Sequence, residues 1–153
     1  MHTFIKYGLL SLAAAMAGIQ LIPVERTNPA VISDYDGPSA VKQVLQNSCY
    51  DCHSHETSWP WYSYIAPVSW LVAHDIEEGR QELNFSDWLR FAKDTPLLEE
   101  IYEEVAEGEM PLPIYLLTHS HATVSPEALA LLQAEFGSKL KTKHADSNEH
   151  EEH

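Results

Sequence analysis

One pentapeptide constrains this chain more than anything else in it: Cys49-Tyr50-Asp51-Cys52-His53. C-x-x-C-H is the attachment pattern of covalent haem, and these are the only two cysteines among 153 residues. Two thiols add across the haem vinyl groups as thioethers, and the adjacent imidazole takes the iron as proximal ligand. A chain that carries such a group folds around a large flat apolar body, which then supplies much of its core. On the last turn of a helix Cys49, Cys52 and His53 stand at i, i+3 and i+4 on one face. Tyr50 and Asp51 point elsewhere, so those two positions are expected to accept almost any residue.

The chemical rivals lack their usual surroundings. A thioredoxin-like redox pair wants a βαβ pattern, and a structural zinc site wants two further Cys or His ligands at knuckle spacing. A disulfide or two buried thiols are the plain structural alternatives.

The compartment follows from the N-terminus. From Tyr7 to Ile22 the sequence YGLLSLAAAMAGIQLI is apolar apart from Ser11 and Gln20, with His2 and Lys6 before it. It reads as an export segment. Sixteen residues of helix span roughly 24 Å, short of the roughly 30 Å hydrocarbon core. Ala15-Met16-Ala17 has the small-x-small form of a cleavage site, which favours a removed signal peptide, whereas the apolar run continues to Ile22 as a membrane anchor would. Either way the folded domain lies outside the cytoplasm, in the periplasm or facing it. The formal charge of −14 disfavours nucleic acid. Twelve acidic residues fall between Asp75 and Glu109 against Arg80, Arg90 and Lys93, which reads as a solvated helix face or as a docking surface for a basic redox partner.

Four segments follow: an export segment or anchor over 1–22, an extended tether over 23–38, a haem-binding domain over 39–137 and a disordered polar tail over 138–153. Ser39–Ser48 has Val41, Val44 and Leu45 at helical spacing and delivers Cys49 onto the end of that helix. The next stretch, SHETSWPWYSYIAPVSW, holds three of the four tryptophans; Trp59, Trp61, Tyr62, Tyr64 and Trp70 could wall a haem or form ordinary aromatic core. Further helices are expected from about Val68, weakened by Gly79, then over DWLRFAKD with Ser86 as N-cap. Thr95-Pro96 starts one that ends near Gly108, and Ser125-Pro126 starts the last, which runs to about Phe136 with Gly137 as its stop. No strand alternation is present, so the expected architecture is a small all-α domain.

The second axial position decides between electron transfer and chemistry. Met110, in Glu109-Met110-Pro111-Leu112-Pro113, is the leading candidate: Met1 is the initiator, Met16 lies in the export segment, and prolines hold an extended backbone without N–H partners. A lone methionine is otherwise a core gap-filler. His55 lies too close to His53 to reach the opposite haem face; His74, His119 and His121 are the competing imidazoles, and His144, His150 and His153 belong to the tail.

These residues together resemble the small haem-binding domain family of bacterial exported proteins, a c-type cytochrome-like group. The resemblance rests on Glu25-Arg26-Thr27-Asn28-Pro29, the C-x-x-C-H, Trp59-Pro60-Trp61-Tyr62, Ile65-Ala66-Pro67-Val68-Ser69-Trp70, Leu83-Asn84-Phe85-Ser86 and Met110-Pro111-Leu112-Pro113. It implies one covalent haem c at Cys49 and Cys52, His53 as proximal ligand and Met110 as distal ligand. The sequence departs from the pattern at His55, where Asn is expected, and in the histidine-rich Thr118-His119-Ser120-His121. The expected function is a monohaem electron carrier rather than an enzyme, matured by haem-attachment machinery and serving a redox partner protein. A membrane is a further partner if the N-terminal segment is retained. The alternative is a haem sensor or peroxidase-like enzyme with an open or displaceable sixth position.

Overall fold

In the computed structural model, which describes residues 2–137, the regular elements are helices joined by loops, with no strand among the described residues. Its helices are α1 (His2–Ile19), α2 (Ser39–Ser48), α3 (Tyr50–His53), α4 (Val68–Glu82), α5 (Trp88–Phe91), α6 (Thr95–Glu107), α7 (Pro113–Leu116) and α8 (Pro126–Leu132). Short 3₁₀ turns cover Trp61–Tyr64 and Ser120–Ala122, and a π turn over Gln133–Gly137 continues α8. The tail over 138–153, with His144, His150 and His153, lies outside the described residues.

The apolar N-terminus forms α1, exposed on every side from Thr3 to Gly18. No helix among the described residues is long and apolar enough to cross a membrane. Residues 23–38 are extended, as the prolines imply, yet they are bound to the domain along their length. Arg80 donates from Nε to the Ser54 carbonyl (2.7 Å), and from its terminal nitrogens to the Thr27 carbonyl, Asn28 and Thr57. Asn28 in turn donates to the Thr57 carbonyl at 2.9 Å. The Glu25-to-Pro29 motif is therefore one half of a clamp on the loop that follows His53. A few residues on, Tyr35 enters the core.

That core is aromatic. Phe85 stacks on Tyr50 at 5.4 Å between ring centroids and on Trp88 at 5.8 Å, and Tyr35 meets Trp88 edge-on at 5.0 Å. Leu45, Leu98, Leu132 and Phe136 close around them, essentially without solvent exposure. A buried leucine or phenylalanine of this kind contributes about 1.5–3 kcal/mol from apolar burial.

Three local expectations are corrected. First, α2 ends at Ser48, and Cys49 (φ −124°, ψ −35°) breaks it, so the pentapeptide forms its own short helix. The i, i+3, i+4 grouping survives because Cys52 N–H and His53 N–H both donate to the Cys49 carbonyl. Second, Ser86 does not cap α5. It is buried, and its hydroxyl accepts the His55 N–H at 2.9 Å. Third, Asp94 rather than Thr95 caps α6, its carboxylate accepting the Leu97 N–H.

Candidate functional site

His53 is set by its hydrogen-bond partners. Its Nδ1 lies 2.9 Å from the Gly79 carbonyl and 3.1 Å from the Leu83 carbonyl. Carbonyls only accept, so Nδ1 carries the proton and Nε2 holds the free lone pair. Burial holds the imidazole below its ordinary pKa, against the pull of those two carbonyls and of Glu82. A neutral ring with a fixed tautomer is what metal ligation requires.

Gly79, whose carbonyl accepts from His53, is also a contact point. A Cβ built on it would stand 3.0 Å from the Cys52 carbonyl oxygen and 3.3 Å from His53 Cε1. The absence of that carbon lets α4 lie directly on α3. Sequence reasoning treated this glycine as a weakness in a helix; a buried mid-helix glycine is better read as a close approach.

Beside His53 opens a cleft of about 640 Å³ whose walls include Cys49, Cys52, His53 and Met110. Its apolar lining comes from Leu83, Phe85, Leu97, Ile101, Val105 and Leu112. Both cysteines are free, and burial above all pushes each thiol up to about 12. They are thiols at neutral pH, the opposite of the lowered pKa that marks a thioredoxin-type pair. No cluster of three or more His, Cys, Asp or Glu suited to a metal ion occurs among the described residues.

Met110 reaches the cleft because α6 ends where it does. Gly108 adopts the left-handed conformation (φ 80°), and the N–H groups of Glu109 and Met110 both turn back onto the Glu104 carbonyl. Glycine takes that conformation without a Cβ penalty. A second tie lies further on, where Tyr115 of α7, itself lining the cleft, donates its hydroxyl to Asp51 Oδ2 at 2.7 Å. The other Asp51 oxygen accepts the Ser58 N–H at 2.8 Å. Asp51 thus joins the Met110 segment to the pentapeptide, and the expectation that this position accepts almost any residue is corrected.

None of the competing imidazoles lines this cleft. His55 is spent on structure, its Nδ1 donating to the Ala30 carbonyl and its Nε2 accepting from Asn84. Solvent surrounds His74, whose partner is Glu78 at 3.4 Å. His119 stacks on the outer face of Tyr115 (4.1 Å, 5° between planes), with His121 edge-on to it. The aromatic stretch is displaced too: Trp59, Trp61, Tyr62, Tyr64 and Trp70 are absent from the cleft, and Trp61 is 75% exposed. Phe85 and Tyr115 are the rings that wall it. The cleft is also lined by Asp51, Asp75, Glu78, Glu82, Glu100 and Glu104, and by no Lys or Arg among the described residues. Burial pushes the Asp75 carboxyl above its ordinary value, against His74 and with help from Glu78.

A family model described as a haem-binding domain matches residues 14–136. No curated protein and no solved structure matches the chain.

Proposed function

The chain belongs to the haem-binding domain family, and on that footing we propose that it is a monohaem c-type cytochrome carrying electrons in the periplasm. Cys49 and Cys52 would hold the haem through thioethers, and His53 and Met110 would ligate its iron. The observation that carries this reading is the juxtaposition in one cleft of two protonated thiols, an imidazole with its Nε2 free, and a thioether on a braced loop.

The residues fit the group. About 640 Å³ lies within the range of roughly 300–1,000 Å³ usual for cofactor-sized sites, and the lining is apolar where a porphyrin face would lie. When bound, the group supplies one reversible electron at iron. His53 presents a neutral nitrogen whose orientation is held by two carbonyls. Met110 offers a soft sulfur, which favours the reduced metal. Leu97, Ile101, Val105 and Leu112 exclude water from the same wall. Among the described residues the cleft is lined by no second imidazole and no guanidinium to serve as an acid or base, which favours a carrier over a peroxidase-like enzyme.

The carboxylates lining the cleft support docking of a basic redox partner, steered by charge. Export through the N-terminal segment and covalent attachment by haem-maturation machinery complete the reading. In it the domain faces the periplasm, either released by cleavage of the N-terminal segment or held at the inner membrane by a retained α1.

The test is an optical spectrum of the full chain produced with that machinery. Oxidised wild type is expected to show the weak sulfur-to-iron charge-transfer band, and Met110→Ala to lose it while keeping its haem. A band missing from wild type, together with ready binding of added imidazole, overturns Met110 ligation in favour of the open-site sensor reading.

A further inference from the structure

An exposed aromatic surface lies away from the cleft, and the end of α1 is tied to it. Gln20, one residue past α1, uses its side-chain amide like a strand backbone: Nε2 donates to the Ala66 carbonyl and Oε1 accepts the Ala66 N–H, both at 3.0 Å. Nearby, Arg26 donates to the Ser63 carbonyl at 3.1 Å, and its guanidinium sits 4.5 Å over the Tyr64 ring. The apolar run of α1 therefore ends against the turn that holds Trp61 and Tyr64.

Beyond the Arg26 contact on Tyr64 and an edge-on contact between Trp61 and Tyr62, the side chains around that junction face solvent. Trp61, Tyr64, Ile65, Val68 and Leu71 are all exposed, as are Leu21 and Ile22. Such a grouping exceeds the scattered apolar residues ordinary on a soluble surface. α1 is exposed from Thr3 to Gly18 and apolar there apart from Thr3, Lys6 and Ser11, a composition that favours lipid over water around most of its surface. Tryptophan and tyrosine backed by an arginine form the composition found at the boundary between lipid and water, where rings span both phases and guanidinium groups meet phosphate.

The direction of α4 fits the same surroundings. It starts at Val68 on this face, and Gly79, whose carbonyl holds His53, lies eleven residues further along, about 16 Å at the rise of an α-helix. The acidic residues Asp75, Glu78 and Glu82 belong to that far half. Anionic headgroups would repel them, and the arrangement keeps them away.

We infer that the Trp61–Tyr64 turn, with Ile65, Val68 and Leu71, is a lipid-facing seat continuous with α1, by which the domain rests on an anionic phospholipid bilayer with its cleft turned away. This inference rests on the reading of α1 as a retained membrane helix. The experiment separates the two. Full chain carrying haem, with p-benzoylphenylalanine in place of Trp61, Tyr64 or, as an exposed apolar control outside the patch, Leu89 (70% exposed), is mixed with phosphatidylethanolamine and phosphatidylglycerol vesicles, floated on a density gradient and irradiated. An unchanged haem spectrum establishes that each variant is folded. The seat predicts flotation of all three, with lipid adducts at 61 and 64 and none above background at 89. Flotation with no adducts at 61 and 64, or with equal adducts at 89, overturns the seat and leaves the anchoring reading standing. Adducts to a second copy of the chain replace lipid by self-association and also overturn it. Failure to float overturns both.

Discussion

Replacing Gly79 by alanine adds one methyl group where α4 crosses α3, and the structure fixes what it meets. The new carbon would stand 3.0 Å from the Cys52 carbonyl oxygen, 3.3 Å from the carbon of that carbonyl and 3.3 Å from His53 Cε1. Two of these are backbone atoms on a helix pinned by its own hydrogen bonds, so α4 must move away by a few tenths of an ångström. Alanine gains about 1 kcal/mol over glycine inside an exposed helix, and overpacking at a fixed backbone costs about 1–3 kcal/mol. The crossing wins, and the net loss is about 1 kcal/mol, a fall in Tm of about 4 °C for a domain of this size. The same movement lengthens the 2.9 Å bond from His53 Nδ1 to the Gly79 carbonyl, so the optical spectrum of the haem protein is expected to shift together with Tm. Thermal melts and spectra of wild type and Gly79→Ala read both. A variant with raised Tm and an unchanged spectrum would refute the close-contact argument, because helix propensity alone gives that result.

Two further perturbations reach other parts of the account. Tyr115→Phe removes the 2.7 Å bond to Asp51, a charge-assisted bond whose loss is worth about 1.5–3 kcal/mol; haem attachment is expected to survive while added imidazole displaces Met110 at lower concentration, and an unchanged imidazole titration counts against the brace. Asp34 accepts from Tyr50 at 2.9 Å and from Lys42; burial pushes its carboxyl up, but these bonds win and hold it below its ordinary value. Its contribution to stability is therefore complete above the unfolded pKa, about 3.9, and is lost as pH falls through the lower folded value. The Tm gap between wild type and Asp34→Asn should stay constant from neutral pH to about 5 and close in stronger acid, whereas a gap that widens in acid contradicts the assignment.

The readable part of this molecule was the part written in short-range chemistry. Proline at the starts of α6 and α8, Gly108 at the end of α6 and the five residues around Cys49 each act within a turn or two, and each stands close to where its pattern placed it. Met110 belongs to the same class, since its position follows from a left-handed glycine two residues earlier. What escaped is long-range. Gly79 and His53 are separated by 26 residues, and the pairing of Asp51 with Tyr115 spans 64; neither leaves a periodic trace. The aromatic stretch misled for a related reason. Tryptophan and tyrosine suit a cofactor wall and a surface equally well, and only the packing shows that Phe85 and Tyr115 wall the cleft while Trp61 faces outward.

Covalent attachment at Cys49 and Cys52 is the claim on which the rest depends, and the intact mass of the denatured protein tests it directly. Full chain produced with haem-maturation machinery is unfolded in acid, freed of loosely held haem and weighed. The account predicts the mass of the chain plus one haem, and the loss of that increment in the Cys49→Ser/Cys52→Ser double variant. A wild-type chain that releases all its haem on unfolding, or a double variant that keeps it, would contradict the account.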